Sequence, residues 1–207
     1  MMYITIAAIL ILLVIFLINS SKLESFRSKR GRTLEFFISL ISTFIGFFFA
    51  LSLNTILSDI TQKENLVKLL DATNLSLENS EMKTKGMYLN PAKKGVDVSE
   101  IILYSPLEIP KLYTNLETNS LVSDYFLSNA FQAYILCNDN LQTFVQGANA
   151  ANASSDKKTL ILEKYLAYLS LAKQVNTLEI KRLNGDISQS EENEALQKLT
   201  KQIINNQ

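Results

Sequence analysis

With 207 residues, this chain is long enough for a membrane anchor and one folded domain. It has no histidine and one cysteine, Cys137, which excludes histidine-based acid–base catalysis, histidine metal ligands and an intrachain disulfide. The 20 basic and 20 acidic residues balance, and the low counts of glycine (six) and proline (three) favour long helices over a turn-rich β fold.

The chain begins with an apolar run. Residues 1–18 read MMYITIAAILILLVIFLI and carry no charge. Their length is slightly below the roughly 20 residues that a helix needs to cross a bilayer, but the N-terminus can lie among the lipid headgroups. A cleaved signal peptide would have a basic segment before the run and a small-residue cleavage site after it, and both are missing. We therefore predict a retained transmembrane helix over residues 1–18.

A basic connector follows, NSSKLESFRSKRGRT (19–33), whose one acidic residue is Glu24. Short loops rich in lysine and arginine stay on the cytoplasmic side, because their transfer across the bilayer is disfavoured. Binding of anionic lipid or nucleic acid is the alternative role for such a connector. The residues predicted to set the topology are Lys22, Arg27, Lys29, Arg30 and Arg32.

The second apolar run, residues 34–57, reads LEFFISLISTFIGFFFALSLNTIL and has Glu35 as its one charge. Six phenylalanines within fourteen residues, with no polar face, argue against a buried core helix. Two spans joined by a cytoplasmic connector place both termini outside. The sequence thus predicts a cytoplasmic-membrane protein whose residues 58–207 form an extracytoplasmic domain.

Small residues recur at every fourth position of the second span: Ser42, Gly46 and Ala50, with Asn54 continuing the row. Such a face allows two helix backbones to approach closely in lipid. It can dock on the first span or on a second copy of the chain, or the spacing can arise by chance. A pore lining is less favoured, because only serine, threonine and asparagine supply polarity.

Residues 58–207 carry 15 basic and 18 acidic side chains and show no basic face for nucleic acid. The second span is predicted to continue as a helix to about Met82, with its buried face at Ile60, Leu66, Leu69, Leu70, Thr73 and Leu77. TKGMYLNPAKKG (84–95) should end that helix, and VDVSEIILY (96–104) is either a brief strand or an irregular link.

Three further helical regions are predicted. SPLE (105–108) looks like a capped helix start, although Pro110 can make the helix begin again, and this helix should end near Asn119. Apolar positions from Val122 to Ala148 repeat every eleven residues, as in a long helix. After a loop at 146–155, a helix should run to Asn184-Gly185, and a capping box in SQSE (188–191) should open the last one, with Leu196, Leu199 and Ile203 inward.

The predicted fold class is all-α: two transmembrane helices followed by an antiparallel helical bundle into which the second span continues. Bundles can bind small molecules between helices, so the region of Tyr134, Cys137 and Tyr168 is a candidate inter-helix cavity. Cys137 lies on the apolar stripe, and we interpret it as a small buried residue and not a reactive thiol.

The arrangement resembles a loosely defined class of bacterial two-span membrane proteins with a C-terminal helical domain, mostly without assigned function. The likeness rests on FIGFFFALSLNTILSDITQKENLVKLLDATNLSLENS (44–80), PLEIPKLYTNLETNSLVSDYFLSNAFQAYILCNDNLQTF (106–144) and the helix–glycine–helix ending IKRLNGDISQSEENEALQKL (180–199). It covers most of the chain and implies the architecture, without an active site.

No phosphate loop, GxSxG or HExxH motif is present, and Glu191, Glu192 and Glu194 look like a charged helix start and not a metal site. We expect a non-enzymatic, membrane-anchored interaction or scaffold protein without a cofactor. Its expected partners are the lipid bilayer and a second copy or another membrane protein. The alternative is a small oligomeric channel or membrane-perturbing effector assembled through the second span. An enzyme using scattered carboxylates, or a ligand sensor, is a further hypothesis.

Overall fold

The computed structural model describes residues 2–19, 24–150 and 154–205. All regular elements in these ranges are helical, so the predicted all-α fold class is confirmed. The chain divides into two compact units, residues 1–62 and 63–207, which are described separately below.

Unit 1 contains two helices, α1 (Met2–Asn19) and the first part of α2 (Glu24–Thr84). Helix α2 begins inside the predicted connector, so residues 24–33 are helical and continuous with the second apolar run. Of the five predicted topology-setting residues, Lys22 lies outside the described residues, and the other four lie in the first turns of α2.

Unit 2 begins with residues 63–84 of α2, whose apolar positions at helical spacing are buried. The predicted inward face is confirmed at Leu66, Leu70, Thr73 and Leu77, which are fully buried. Ile60, the first residue of that face, is exposed and belongs to unit 1. This burial secures the C-terminal part of α2 in the core of unit 2.

The helix end predicted within residues 84–95 is confirmed only at the C-terminal end of that segment, near Gly95. A π-helical turn (Lys85–Leu89) follows α2 directly, and a short helix, α3 (Asn90–Lys93), follows that turn. Pro91, which has no N–H to donate, lies in the first turn of α3, directly after the π-helical turn. Gly95, with φ of 81°, then ends the helix, and its N–H donates to Ala92 O.

Residues 99–104 are helical, so the strand alternative for 96–104 is wrong. Helix α4 (Ser99–Tyr104) is preceded by Asp97, whose Oδ1 accepts a hydrogen bond from the Ser99 N–H at 2.9 Å. This local side-chain contact favours a turn into a helix over an extended strand.

The predicted helix start at 105–108 is also wrong, because residues 105–110 lie outside any helix and α5 (Lys111–Thr114) begins only after Pro110. Side chains from distant positions bind the backbone of this segment instead. Asn149 pairs with both the N–H and the C=O of Leu107, at 3.0 Å each, and Tyr165 donates to Glu108 O at 2.9 Å. A 3₁₀ turn (Asn115–Thr118) then ends beside Asn119, as predicted.

The long helix predicted from Val122 to Ala148 is interrupted. Helix α6 (Ser120–Tyr125) is capped by Asn119, the backbone is extended at Phe126 and Leu127, and α7 (Ser128–Asn149) follows. The predicted stripe is nevertheless buried or half-buried throughout, with Val122 on α6 and the remainder on α7 or at its start.

The bounds of the last two helices agree with the predictions. Helix α8 (Ser155–Leu183) ends at Asn184-Gly185, where Gly185 has φ of 79°. Helix α9 (Gln189–Asn205) begins with the predicted capping box: the Ser188 N–H donates to Glu191 Oε2 at 2.7 Å. Helices α7, α8 and α9 pack on one another around a core that includes Leu141, Leu169, Leu196 and five fully buried tyrosines, Tyr88, Tyr113, Tyr134, Tyr165 and Tyr168.

Candidate membrane anchor and buried polar clusters

The second apolar run presents large apolar side chains to its surroundings. Within the described residues, one helical stretch is long and apolar enough to cross a membrane. It is Glu35–Lys93, which comprises most of α2, the π-helical turn and α3. Its apolar stretch is almost entirely unburied within the chain. The exposed large side chains are distributed around the helix and include Phe36, Phe37, Leu40, Phe44, Phe47, Phe49, Leu53 and Ile56. A helix that is apolar on all sides requires either a protein interior or lipid around it.

The predicted packing face of this helix is uncovered. Ser42, Gly46, Ala50 and Asn54 are all exposed, and no atom outside the helix backbone lies within 4 Å of the position that a Cβ would take at Gly46. The less exposed side is the opposite one, where Ile41, Ile45 and Phe48 are half-buried and Ser52 is buried. The small-residue face is therefore free to receive another helix.

Three hydroxyl groups of the run donate to backbone carbonyls of their own helix. Thr43 donates to Ser39 O at 3.0 Å, and Ser52 and Thr55 donate in the same way to the carbonyls of Phe48 and Leu51. Bonding to the carbonyl four residues earlier is the usual way in which serine and threonine satisfy a donor in an apolar helix. It leaves these hydroxyls without a free donor to line a water-filled path.

The candidate inter-helix cavity residues are Tyr134, Cys137 and Tyr168, and all three have no exposed surface. Tyr134 donates through its hydroxyl to Tyr113 O at 2.8 Å, and the two tyrosine rings are 4.8 Å apart. The Tyr168 ring packs against Phe144. Burial raises the pKa of the Cys137 thiol to about 12, so this group is a neutral core residue at ordinary pH.

One lysine of unit 2 is buried. Lys158, at the end of the first turn of α8, is 2% exposed and donates to Ser99 Oγ at 2.7 Å. Hydrogen bonds from Ser99 are the main cause of the lowered pKa of Asp97, and the positive charge of Lys158 lowers it further. A cavity of about 220 Å³ adjoins the pair, with Ile102 and Leu103 on its walls. The Asp97–Ser99–Lys158 chain ties α4 to α8.

A second buried cluster joins α8, α9 and the break between α6 and α7. Glu179 and Glu192 have no exposed surface, and Arg182 lies between them. Arg182 also donates to Tyr125 O at 2.6 Å, and Glu179 Oε1 accepts from the Leu127 N–H at 2.9 Å. These two bonds satisfy backbone groups that the interrupted helix leaves unpaired.

The sequence predictions missed this cluster. Glu192 was interpreted only as part of a charged helix start, as Glu191 indeed is. The available signal was its spacing: Glu192 precedes Leu196 and Leu199 by four and seven residues, which puts all three on one helix face. Glu179 similarly lies four residues after the buried Val175.

Two grooves flank the extended segment 105–110. One of about 330 Å³ is lined by polar side chains of α2, including Ser76, Asn79 and Lys83, and the other, of about 590 Å³, lies toward α7 beside Gln142 and Gln146. Segment 105–110 forms a wall of both grooves.

Comparisons with protein-family models, with curated proteins and with solved structures find no match for this chain.

Proposed function

We propose that this chain is a membrane-anchored helical interaction protein that self-associates through its second apolar helix. In this proposal residues 1–18 and 34–57 both span the cytoplasmic membrane, and residues 58–207 form a bundle outside it. The single observation that supports the proposal best is the uncovered small-residue face of an exposed apolar helix.

The physical reason is the balance of forces in lipid. An apolar side chain gains little by leaving lipid for another apolar surface, so helices associate where backbones approach closely and dispersion contacts increase. Ser42, Gly46 and Ala50 form the strip of this helix where the approach is closest. Because the less exposed side of the helix is the opposite one, a second copy can use the strip without displacing a contact within the chain.

A cysteine scan in membranes tests self-association. Cys137 is first replaced by alanine, and single cysteines are placed at Ser42, Gly46 and Ala50, or on the opposite side at Ile41, Ile45 and Phe48. Oxidation should give disulfide-linked dimers from the first set and none above background from the second. Equal dimer formation from both sets would contradict a specific interface.

The alternative partner, another envelope component, has a different outcome in a parallel experiment. A photo-crosslinking residue at Gly46 should give an adduct of twice the chain mass if the partner is a second copy. An adduct of another mass, with no dimer, would replace self-association by binding to a different membrane protein.

A further inference from the structure

The cluster of Glu179, Arg182 and Glu192 contains two acidic groups and one basic group. Both carboxyl groups are fully buried, and among the described residues Arg182 is the cation that pairs with them. If both carboxyl groups were ionised, the interior would hold a net negative charge. Burial strongly disfavours such a charge unless a partner or a proton neutralises it.

The two carboxyl groups differ in their hydrogen bonds. Glu179 accepts from the Leu127 N–H and from Arg182, whose Nε donates to Oε2 at 3.0 Å. Arg182 Nε forms an ion pair with Glu192 Oε2 at 2.8 Å, but this contact lacks the geometry of a well-formed hydrogen bond, and the same holds for any contact of the other Glu192 oxygen. Glu192 is therefore the group that gains most from holding a proton.

A proton completes the cluster chemically. An ionised carboxylate only accepts hydrogen bonds, whereas a protonated carboxyl also donates one. A protonated Glu192 can donate a hydrogen bond to the neighbouring carboxylate of Glu179. The negative charge that remains on Glu179 is then balanced by Arg182. This arrangement resembles the sharing of one proton between two neighbouring acids.

The charged groups around the cluster support this assignment. Burial, followed by the charge of Glu179, raises the pKa of Glu192 to about 7, while Arg182 acts in the opposite direction. From the α6–α7 break the cluster receives a backbone carbonyl and a backbone N–H, which do not titrate. Lys63 of α2 lies 5.8 Å from the ring of Tyr125, and Glu191 of α9 is turned away toward Ser188.

We propose that Glu179, Arg182 and Glu192 form a proton-dependent clasp that fastens α9 to the remainder of unit 2. With one proton shared between the two carboxyl groups, α9 stays docked on α8 and on the α6–α7 break. Loss of that proton places two negative charges against one positive charge and favours detachment of α9. Detachment exposes Leu196 and Leu199, which are buried in the docked state, as an apolar surface. The clasp does not depend on self-association.

Hydrogen exchange detected by mass spectrometry tests the clasp on the full chain in lipid nanodiscs. Exchange is followed between pH 5.5 and 8.5, with labelling times scaled for the intrinsic pH dependence of exchange, and α7 of the same molecule serves as the internal reference. Protection of α9 relative to α7 should fall by up to about tenfold per pH unit from pH 5.5 to about pH 7, because docked Glu192 holds a proton that detached Glu192 has released. Above about pH 7 the ratio should level off, because both states have then lost that proton.

Two variants locate the titrating group. Glu192→Gln removes the titration, so the pH dependence of α9 protection should disappear. Glu191→Gln changes the neighbouring exposed acid and should leave the profile of the unmodified chain intact. A constant α9-to-α7 ratio in the unmodified chain would overturn the proposal even if a variant does not fold. Retention of the pH dependence in Glu192→Gln would overturn it as well.

Discussion

Arg182 stabilises the fold more than an ordinary surface arginine would, because two buried carboxyl groups and one backbone carbonyl face it. Removing one partner of a buried ion pair costs about 3–5 kcal/mol, since the remaining charge stays buried without compensation. Arg182→Ala should therefore lower the free energy of unfolding by about 3 kcal/mol at pH 7.5, measured by urea denaturation followed by circular dichroism.

Lys181→Ala is the matched control for that substitution. Lys181 is the preceding residue on α8, is exposed, and forms no ion pair with any described residue. Substitutions at such positions usually change stability by less than about 0.5 kcal/mol. If both variants lost the same amount, the loss would come from this turn of α8 and not from the buried carboxyl groups.

The reactivity of Cys137 provides a second test at the level of a single residue. The thiolate is the reactive form, and burial raises the pKa of this thiol to about 12, so it is protonated at pH 8 and also inaccessible. We expect no reaction with an aromatic disulfide reagent in the native chain at pH 8, and one thiol per chain after denaturation. In a Cys137→Ala background, a cysteine at the exposed Ser154 should react in the native state.

At the scale of elements, a comparison of Gly185 with Gly86 measures the cost of backbone strain apart from that of side-chain packing. An added Cβ would have open space at both Gly185 and Gly86, but only Gly185 has a positive φ, of 79°. Gly185→Ala should cost about 1 kcal/mol because an L-residue is strained in that region. Gly86→Ala, in the π-helical turn after α2, should be neutral or stabilise by up to about 1 kcal/mol because it reduces the entropy of the unfolded chain. Equal changes in melting temperature would contradict the assignment of strain to Gly185.

Helix existence was predictable wherever the signal is local. The inward face of α2 within unit 2, the end of α8 at Asn184-Gly185 and the box of Ser188 and Glu191 each depend on residues a few positions apart, and these features were predicted correctly. Helical periodicity and capping are properties of single segments, so no knowledge of the tertiary structure is needed to recognise them.

The errors occur where a distant side chain satisfies the backbone. Segment 105–110 looks like a capped helix start, yet the side chain of Asn149, 42 residues away, binds both the N–H and the C=O of Leu107. The interruption before α7 similarly depends on Glu179, which is 52 residues from Leu127. A local pattern contains no information on such a partner, and tertiary contacts override local helix preference.

At the scale of the whole molecule, the chain combines a helix that is apolar on all sides with a separate, well-packed helical unit. Apolar side chains on all sides of a helix favour lipid or a protein interior around it, whereas unit 2 buries its own apolar side chains in a core. The predicted orientation depends on a third feature, the basic residues at the start of α2, and is therefore testable independently of the fold.

Labelling with a membrane-impermeant thiol reagent in intact cells tests that orientation. In a Cys137→Ala background, a cysteine at Ser154 should be labelled from outside, whereas a cysteine at Ser28 should be labelled only after the membrane is permeabilised. The reason is that the charges of Arg27, Lys29, Arg30 and Arg32 oppose translocation of this segment. Replacing those four residues by glutamine should reduce the difference between the two sites, because the remaining flanking charge no longer distinguishes the two sides. Labelling of Ser28 but not Ser154 in intact cells would reverse the orientation and place unit 2 in the cytoplasm.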